Sequence, residues 1–155
     1  MLWTATISDA ASDKGFAVRL IRQHDGDSGD KFYDWAIHKD IWGLYMFGHG
    51  VVNISWFGVD STYPYNGGFE WDDNKFYCAD DLNAALIYGG RSNRQRYGLL
   101  VAYFCYANYN KWRLLVSNQG SYYGGNGSVF VASGPRSVSG WMTWRAMFND
   151  AAKVK

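Results

Sequence analysis

The stretch from Tyr97 to Tyr123, YGLLVAYFCYANYNKWRLLVSNQGSYY, constrains the fold more than any other. It opens with a nearly continuous apolar run, Gly98 to Tyr106. A polar link follows, Ala107-Asn108-Tyr109-Asn110-Lys111, and then a second apolar run, Trp112 to Val116. Both runs are short, rich in aromatic and β-branched side chains, and bounded by turn formers. The first does not alternate, which suits a strand buried on both faces. Periodicity alone is also consistent with a buried helix, and the shortness of the run favours the strand. The stretch reads as a β-hairpin at the centre of an all-β core.

The other segments fit around that pair. Leu2 to Ile7 reads as a first strand, and Gly15 to Gln23 alternates as a half-buried strand does. Lys31 to His38 and Ile41 to Phe47 read as a hairpin about Lys39-Asp40, with a further strand over Val51 to Val59. Phe69 to Trp71 and Lys75 to Cys78 bracket Asp72-Asp73-Asn74 as a second hairpin. Asp80 to Tyr88 is the helix candidate, with Asp80 or Asp81 as N-cap and Leu82, Ala85 and Leu86 on one face. A single turn with an extended segment fits there equally well. Ser128 to Ala132 and Trp141 to Phe148 read as the last strands. The expected architecture is one domain over residues 1–155, all-β, an antiparallel sandwich or barrel-like tip with at most one short helix near Asp81 to Tyr88.

Composition supports short strands and tight turns. The 155 residues are 19% aromatic, with 18 Gly and 2 Pro, a mixture unlike that of a disordered chain. Fifteen basic and 14 acidic side chains leave a net charge of +1. No global field draws in nucleic acid or an anionic membrane. No apolar run reaches the length of a membrane span. Met1 to Ala5 lacks the basic segment and apolar stretch of a secretion signal. Nucleic-acid binding, membrane insertion and signal-directed export are therefore not expected.

Motifs that would carry chemistry are sparse. His24, His38 and His49 share no element at metal-ligand spacing. The loop Asp25-Gly26-Asp27-Ser28-Gly29-Asp30 departs from the calcium-loop pattern at Gly29 and has no following Glu. Cys78 and Cys105 fit no metal or redox motif, which leaves free thiols or a disulfide. There is no nucleophile elbow and no phosphate loop. Glu70 is the sole glutamate, and the aspartates fall mainly at turns, so no facing carboxylate pair is evident. The loop Arg91 to Arg96 is basic beside Tyr97, but no matching basic stripe accompanies it. The expectation is a non-enzymatic protein without metal or cofactor.

The functional signal lies in loops that mix Tyr or Trp with Asn, Ser and Gly. Aromatic rings stack on sugar faces or partner side chains, amides and hydroxyls supply hydrogen bonds, and Gly allows close approach. Two such loops flank the central hairpin, where a rigid scaffold would hold them. They supply the candidate ligand-binding residues: Tyr106, Asn108, Tyr109, Asn110 and Trp112 from one, and Asn118, Gln119, Tyr122, Tyr123 and Asn126 from the other. Tyr63-Pro64-Tyr65-Asn66 is the next candidate. Tyrosines at the rim of the core, or at contacts between protomers, would give the same composition.

Two stretches carry a resemblance. Gly140 to Asp150, GWMTWRAMFND, resembles the ends of phage tail-fibre proteins, which close with a Trp-Arg strand and a short Asn/Asp-rich tail. Trp71 to Ala84, WDDNKFYCADDLNA, is similar to the short strand-turn-strand units of such fibres. The resemblance implies a β-rich tip, a homotrimer joined to the rest of a fibre or virion, that binds a bacterial surface glycan or protein. It also implies a place in the virion and, after host lysis, outside the cell. It brings no catalytic residue with it. A virion decoration or adaptor protein, or a hypervariable lectin-like display protein, is the alternative.

Overall fold

A computed structural model describes residues 8–71, 75–88 and 96–124. At its centre lies β7 (Tyr97–Tyr103), in which every residue but Tyr103 is buried. The apolar run is thus a strand covered on both faces, as expected. Its partners are not. β1 (Gly43–Phe47) and β8 (Val116–Gly124) flank it, and both run parallel to it. Near-continuous apolar sequence is characteristic of parallel strands, whose two faces are both covered. Parallel neighbours need a crossover of about a dozen residues. Residues 104–115 provide it, wound into two 3-10 turns, Ala107–Tyr109 and Trp112–Leu115. The second apolar run is therefore a helical turn, and the stretch expected as a loop after it is strand β8.

The all-β antiparallel sandwich is overturned by this sheet and by the helices. Residues 8–12 (α1), Gly29–Ala36 (α2) and Ala79–Tyr88 (α3) are α-helical. In α2 the Ser28 side chain caps the helix by accepting from the Lys31 N–H at 3.2 Å. Gly29, Phe32 and Ala36 are its buried residues, a three-to-four spacing where a strand over Lys31 to His38 was expected. In α3 the Asp81 carboxylate reaches back to the Cys78 N–H at 2.9 Å, as an acid at the third helical position does in a capping box. Residues 16–22, expected as part of a strand, are irregular.

Two small antiparallel sheets complete the described chain. β5 (Phe69–Trp71) pairs with β6 (Lys75–Tyr77), the hairpin expected about residues 72–74, and β2 (His49–Gly50) joins its other edge. β3 (Ile54–Ser55) and β4 (Gly58–Val59) form a hairpin of their own where one longer strand was expected. The expected strands over Leu2 to Ile7, Ser128 to Ala132 and Trp141 to Phe148 lie outside the described residues.

The core has two parts, one on each face of the parallel sheet. Leu100, Ala102 and Phe104 pack with α2, α3, β5 and the Trp112–Leu115 turn. Leu99 and Val101 pack with Ala10, Ala11 and Tyr123. Alternate residues of β7 thus serve the two faces, as strand geometry requires. A register shift between Tyr97 and Leu99 breaks the alternation and puts Tyr97 with the first group, where its hydroxyl donates to the Ala36 carbonyl. Among the described residues no helix is long and apolar enough to cross a membrane.

Candidate functional site

The connection between β7 and β8 and the loop before β5 build one composite surface. Asn66, the one buried polar residue among those described, organises the loop before β5. Its Oδ1 accepts the Asn53 N–H at 2.8 Å, and its Nδ2 donates to the Asp60 carbonyl. Asn110 Nδ2 then donates to the Asn66 carbonyl at 3.0 Å, and Trp112 Nε1 to the Gly67 carbonyl at 2.7 Å. Gly67 has φ +72, and a Cβ there would collide with the Tyr106 carbonyl oxygen. Only glycine combines that backbone conformation with so close an approach.

These bonds place two tyrosine pairs on neighbouring loops. Tyr63 and Tyr65 meet edge to face at 5.6 Å, and Tyr65 lies 6.4 Å from the Phe76 ring. Tyr106 and Tyr109 meet edge to face, also at 5.6 Å. Tyr65 and Tyr109 are the open members, 44% and 52% exposed. Tyr106 holds a left-handed backbone conformation, φ 58, which is unusual for a bulky residue and starts the 3-10 turn.

The remaining candidates from the sequence divide sharply. Trp112 is fully buried and packs edge-on against Phe104 at 5.8 Å, so it offers no face to a ligand. Tyr123 is buried in the second core group. Asn110 is committed internally, because its Oδ1 also accepts the Ala79 N–H at 3.0 Å. Asn108 joins the two predicted loops: its Oδ1 accepts the Tyr122 hydroxyl at 2.9 Å, and its Nδ2 donates to the Gly124 carbonyl at 3.3 Å. Burial pushes the Tyr122 phenol well above its ordinary value, with Arg113 acting in the opposite direction. Asn118 is exposed on β8, and Gln119 follows it on that strand. Asn126 lies outside the described residues.

Asn118 and Tyr122 also line a groove of about 460 Å³ with Arg96, Arg113, Leu114, Val116 and Ser121. The sequence reading missed Arg113, which projects from the Trp112–Leu115 turn expected as a strand. Arg96 is the described end of the basic loop, and it is held structurally. Its guanidinium donates to the Leu114 carbonyl at 2.6 Å and to Asn83 Oδ1 at 2.9 Å. The rest of that loop, residues 91–95, lies outside the described residues.

The acidic segment that leads into the first turn of α2 pairs carboxylates with cations. Asp25 meets Arg22 at 3.1 Å, Asp27 meets Lys31, and Asp30 meets Lys75 at 3.0 Å. Cys78 and Cys105 are not joined in a disulfide. Burial raises the Cys78 thiol, and Asp81 and Asp80 add to that. Among the described residues no three His, Cys, Asp or Glu side chains are grouped to hold a metal ion.

This geometry sets tyrosine rings and amides beside a groove, on loops pinned to a buried parallel sheet. No protein-family model, curated protein or solved structure matches the chain.

Proposed function

We propose that the chain is a non-enzymatic attachment module of the phage tail-fibre kind, and that it binds a bacterial surface glycan through its tyrosine-bearing loops. The observation that carries this reading is the stitching of the two loops by Asn110 and Trp112. It fixes Tyr63, Tyr65, Tyr106 and Tyr109 on neighbouring, cross-linked backbone. Preorganised rings lose little entropy when they stack on the apolar face of a sugar. Neutral side chains predominate around them, which suits a neutral polar ligand. Affinity at one such surface is modest, and display as a homotrimer on a virion supplies avidity.

The test is binding of labelled protein to a panel of bacterial cells and purified surface polysaccharides. The Tyr65→Ala/Tyr109→Ala double variant should lose adsorption while its circular dichroism spectrum and melting temperature stay unchanged. Adsorption by the variant equal to that of the native chain would move the site off these loops. Failure of every cell and polysaccharide to retain the native chain would overturn the reading.

A further inference from the structure

We propose that the β3–β4 hairpin is a lipid-contacting tip, with Trp56 and Phe57 entering the interfacial layer of a bilayer. These two residues are the whole turn between Ile54–Ser55 and Gly58–Val59. Trp56 is 102% exposed and Phe57 101%, so neither ring packs on the other described residues. Ile54, directly behind them, is 59% exposed. Scattered single apolar residues are ordinary on a protein surface, but adjacent, fully bare large rings at a projecting tip are not.

Features of the hairpin favour a bilayer over a protein pocket as its host. A bilayer needs no complementary shape. Three polar groups at the turn are paired within it: the Phe57 N–H donates to Ser55 Oγ at 3.2 Å, and Ser55 Oγ donates to the Gly58 carbonyl at 3.3 Å. An apolar medium leaves these three groups paired, so they do not oppose entry of the tip. From Ile41 to Val59 the chain holds no Asp, Glu, Lys or Arg. No charge has to be desolvated as the tip enters, and no cation selects an anionic headgroup.

Tryptophan favours the headgroup level of a bilayer, and phenylalanine at the same turn reaches the acyl boundary beside it. The base of the hairpin is fixed. The Asn53 N–H donates to buried Asn66, and the Asp60 N–H donates to the Asn53 carbonyl at 2.8 Å, so the tip is held away from the body. A contact of this kind needs no membrane span. With two rings it is weak and reversible, as a single lipid anchor is, and several copies on one surface strengthen it. It is also independent of glycan binding by the tyrosine loops.

Vesicle flotation tests the proposal. Two probes are used: vesicles of pure phosphatidylcholine, and vesicles of phosphatidylcholine mixed with phosphatidylglycerol. The native chain should float with both, to the same extent at low and high salt. Trp56→Ser/Phe57→Ser should reduce the bound fraction by about tenfold or more. Its melting temperature should not change, because the two rings touch none of the other described residues. The proposal is overturned if the native chain floats with neither vesicle or only with the anionic one, or if salt abolishes flotation. It is equally overturned if the double variant floats like the native chain. Self-association of the native chain that the variant loses, without flotation, would assign the tip to a second copy and also overturn it.

Discussion

The Asn110 side-chain amide donates to the backbone carbonyl of Asn66 at 3.0 Å, across 44 positions of sequence. One short side chain thereby ties the crossover between two parallel strands to the loop before β5. It also accepts the Ala79 N–H, one of the donors that the first turn of α3 cannot satisfy internally. Three elements meet at this amide, and a change there is felt by all of them.

Replacing Asn110 with Ala leaves the Asn66 carbonyl and the Ala79 N–H without this partner. Each part-buried group left unpaired costs about 1–3 kcal/mol. The expected loss is about 2–4 kcal/mol, read from urea denaturation as a lower midpoint with an unchanged slope. Adsorption to cells should weaken as well, because the tyrosine loops lose their cross-link. A midpoint within error of the native value would show that the amide is replaced by solvent at little cost.

Gly67→Ala tests the close approach behind the same loops. The φ of +72 disfavours any side chain, and a methyl group would meet the Tyr106 carbonyl and the Asn110 backbone nitrogen. The strained backbone alone costs about 1–3 kcal/mol, and the collision adds to it. The variant should melt at a lower temperature and bind more weakly. An equally stable Ala variant would mean that the two loops are not in contact in solution.

Trp112 and Tyr109 should separate stability from binding. Trp112→Phe keeps an aromatic ring in the core but removes the donor to Gly67, at a cost of about 1–3 kcal/mol. Trp112→Ala also leaves a cavity and should cost about 3–5 kcal/mol. Tyr109→Ala, at a half-exposed position, should leave the melting curve within about 0.5 kcal/mol of native. Its effect should be on adsorption alone. Loss of stability at Tyr109 would place that ring in the core instead.

The difference between these two residues was not legible in the sequence. Trp112 and Tyr109 occur in one aromatic, Asn-rich segment, and composition treats them alike. What separates them is a 3-10 turn that sends Trp112 inward. That turn exists because the link is a crossover and not a hairpin. The apolar run of β7 did announce burial on both faces, and Phe69–Trp71 with Lys75–Tyr77 announced their pairing. Continuous burial also carried the clue to parallel neighbours, but strand direction depends on where the chain returns, and the polar link fits either route. The signal for α2 was present in Ser28 and in the spacing of Phe32 and Ala36. It was masked because Lys31 to His38 also contains aromatics that suit a strand. The bare tip at Trp56 and Phe57 was hidden inside a segment that reads as one strand, since only the hairpin turn exposes it.

Acid should reveal the contribution of Asp27, which sits just before the Ser28 cap of α2. Its carboxylate accepts from Lys31 Nζ and from the Arg22 N–H, the latter at 2.9 Å. The side-chain bond to Lys31 is the largest influence, and together these hold the carboxyl below its ordinary value of 3.8. A carboxyl that is more acidic folded than unfolded stabilises the fold when ionised. That contribution is complete well above pH 4, and it disappears as pH falls through the depressed folded value. Asp27→Asn keeps the shape but removes the charge at every pH. The variant should therefore be less stable than the native chain at neutral pH. The gap should narrow below about pH 4, where the native side chain is protonated too. Denaturant midpoints measured for both proteins from neutral pH to pH 2 check this. A gap that stays constant over the whole range, or widens in acid, would show that the Asp27 charge is not linked to folding.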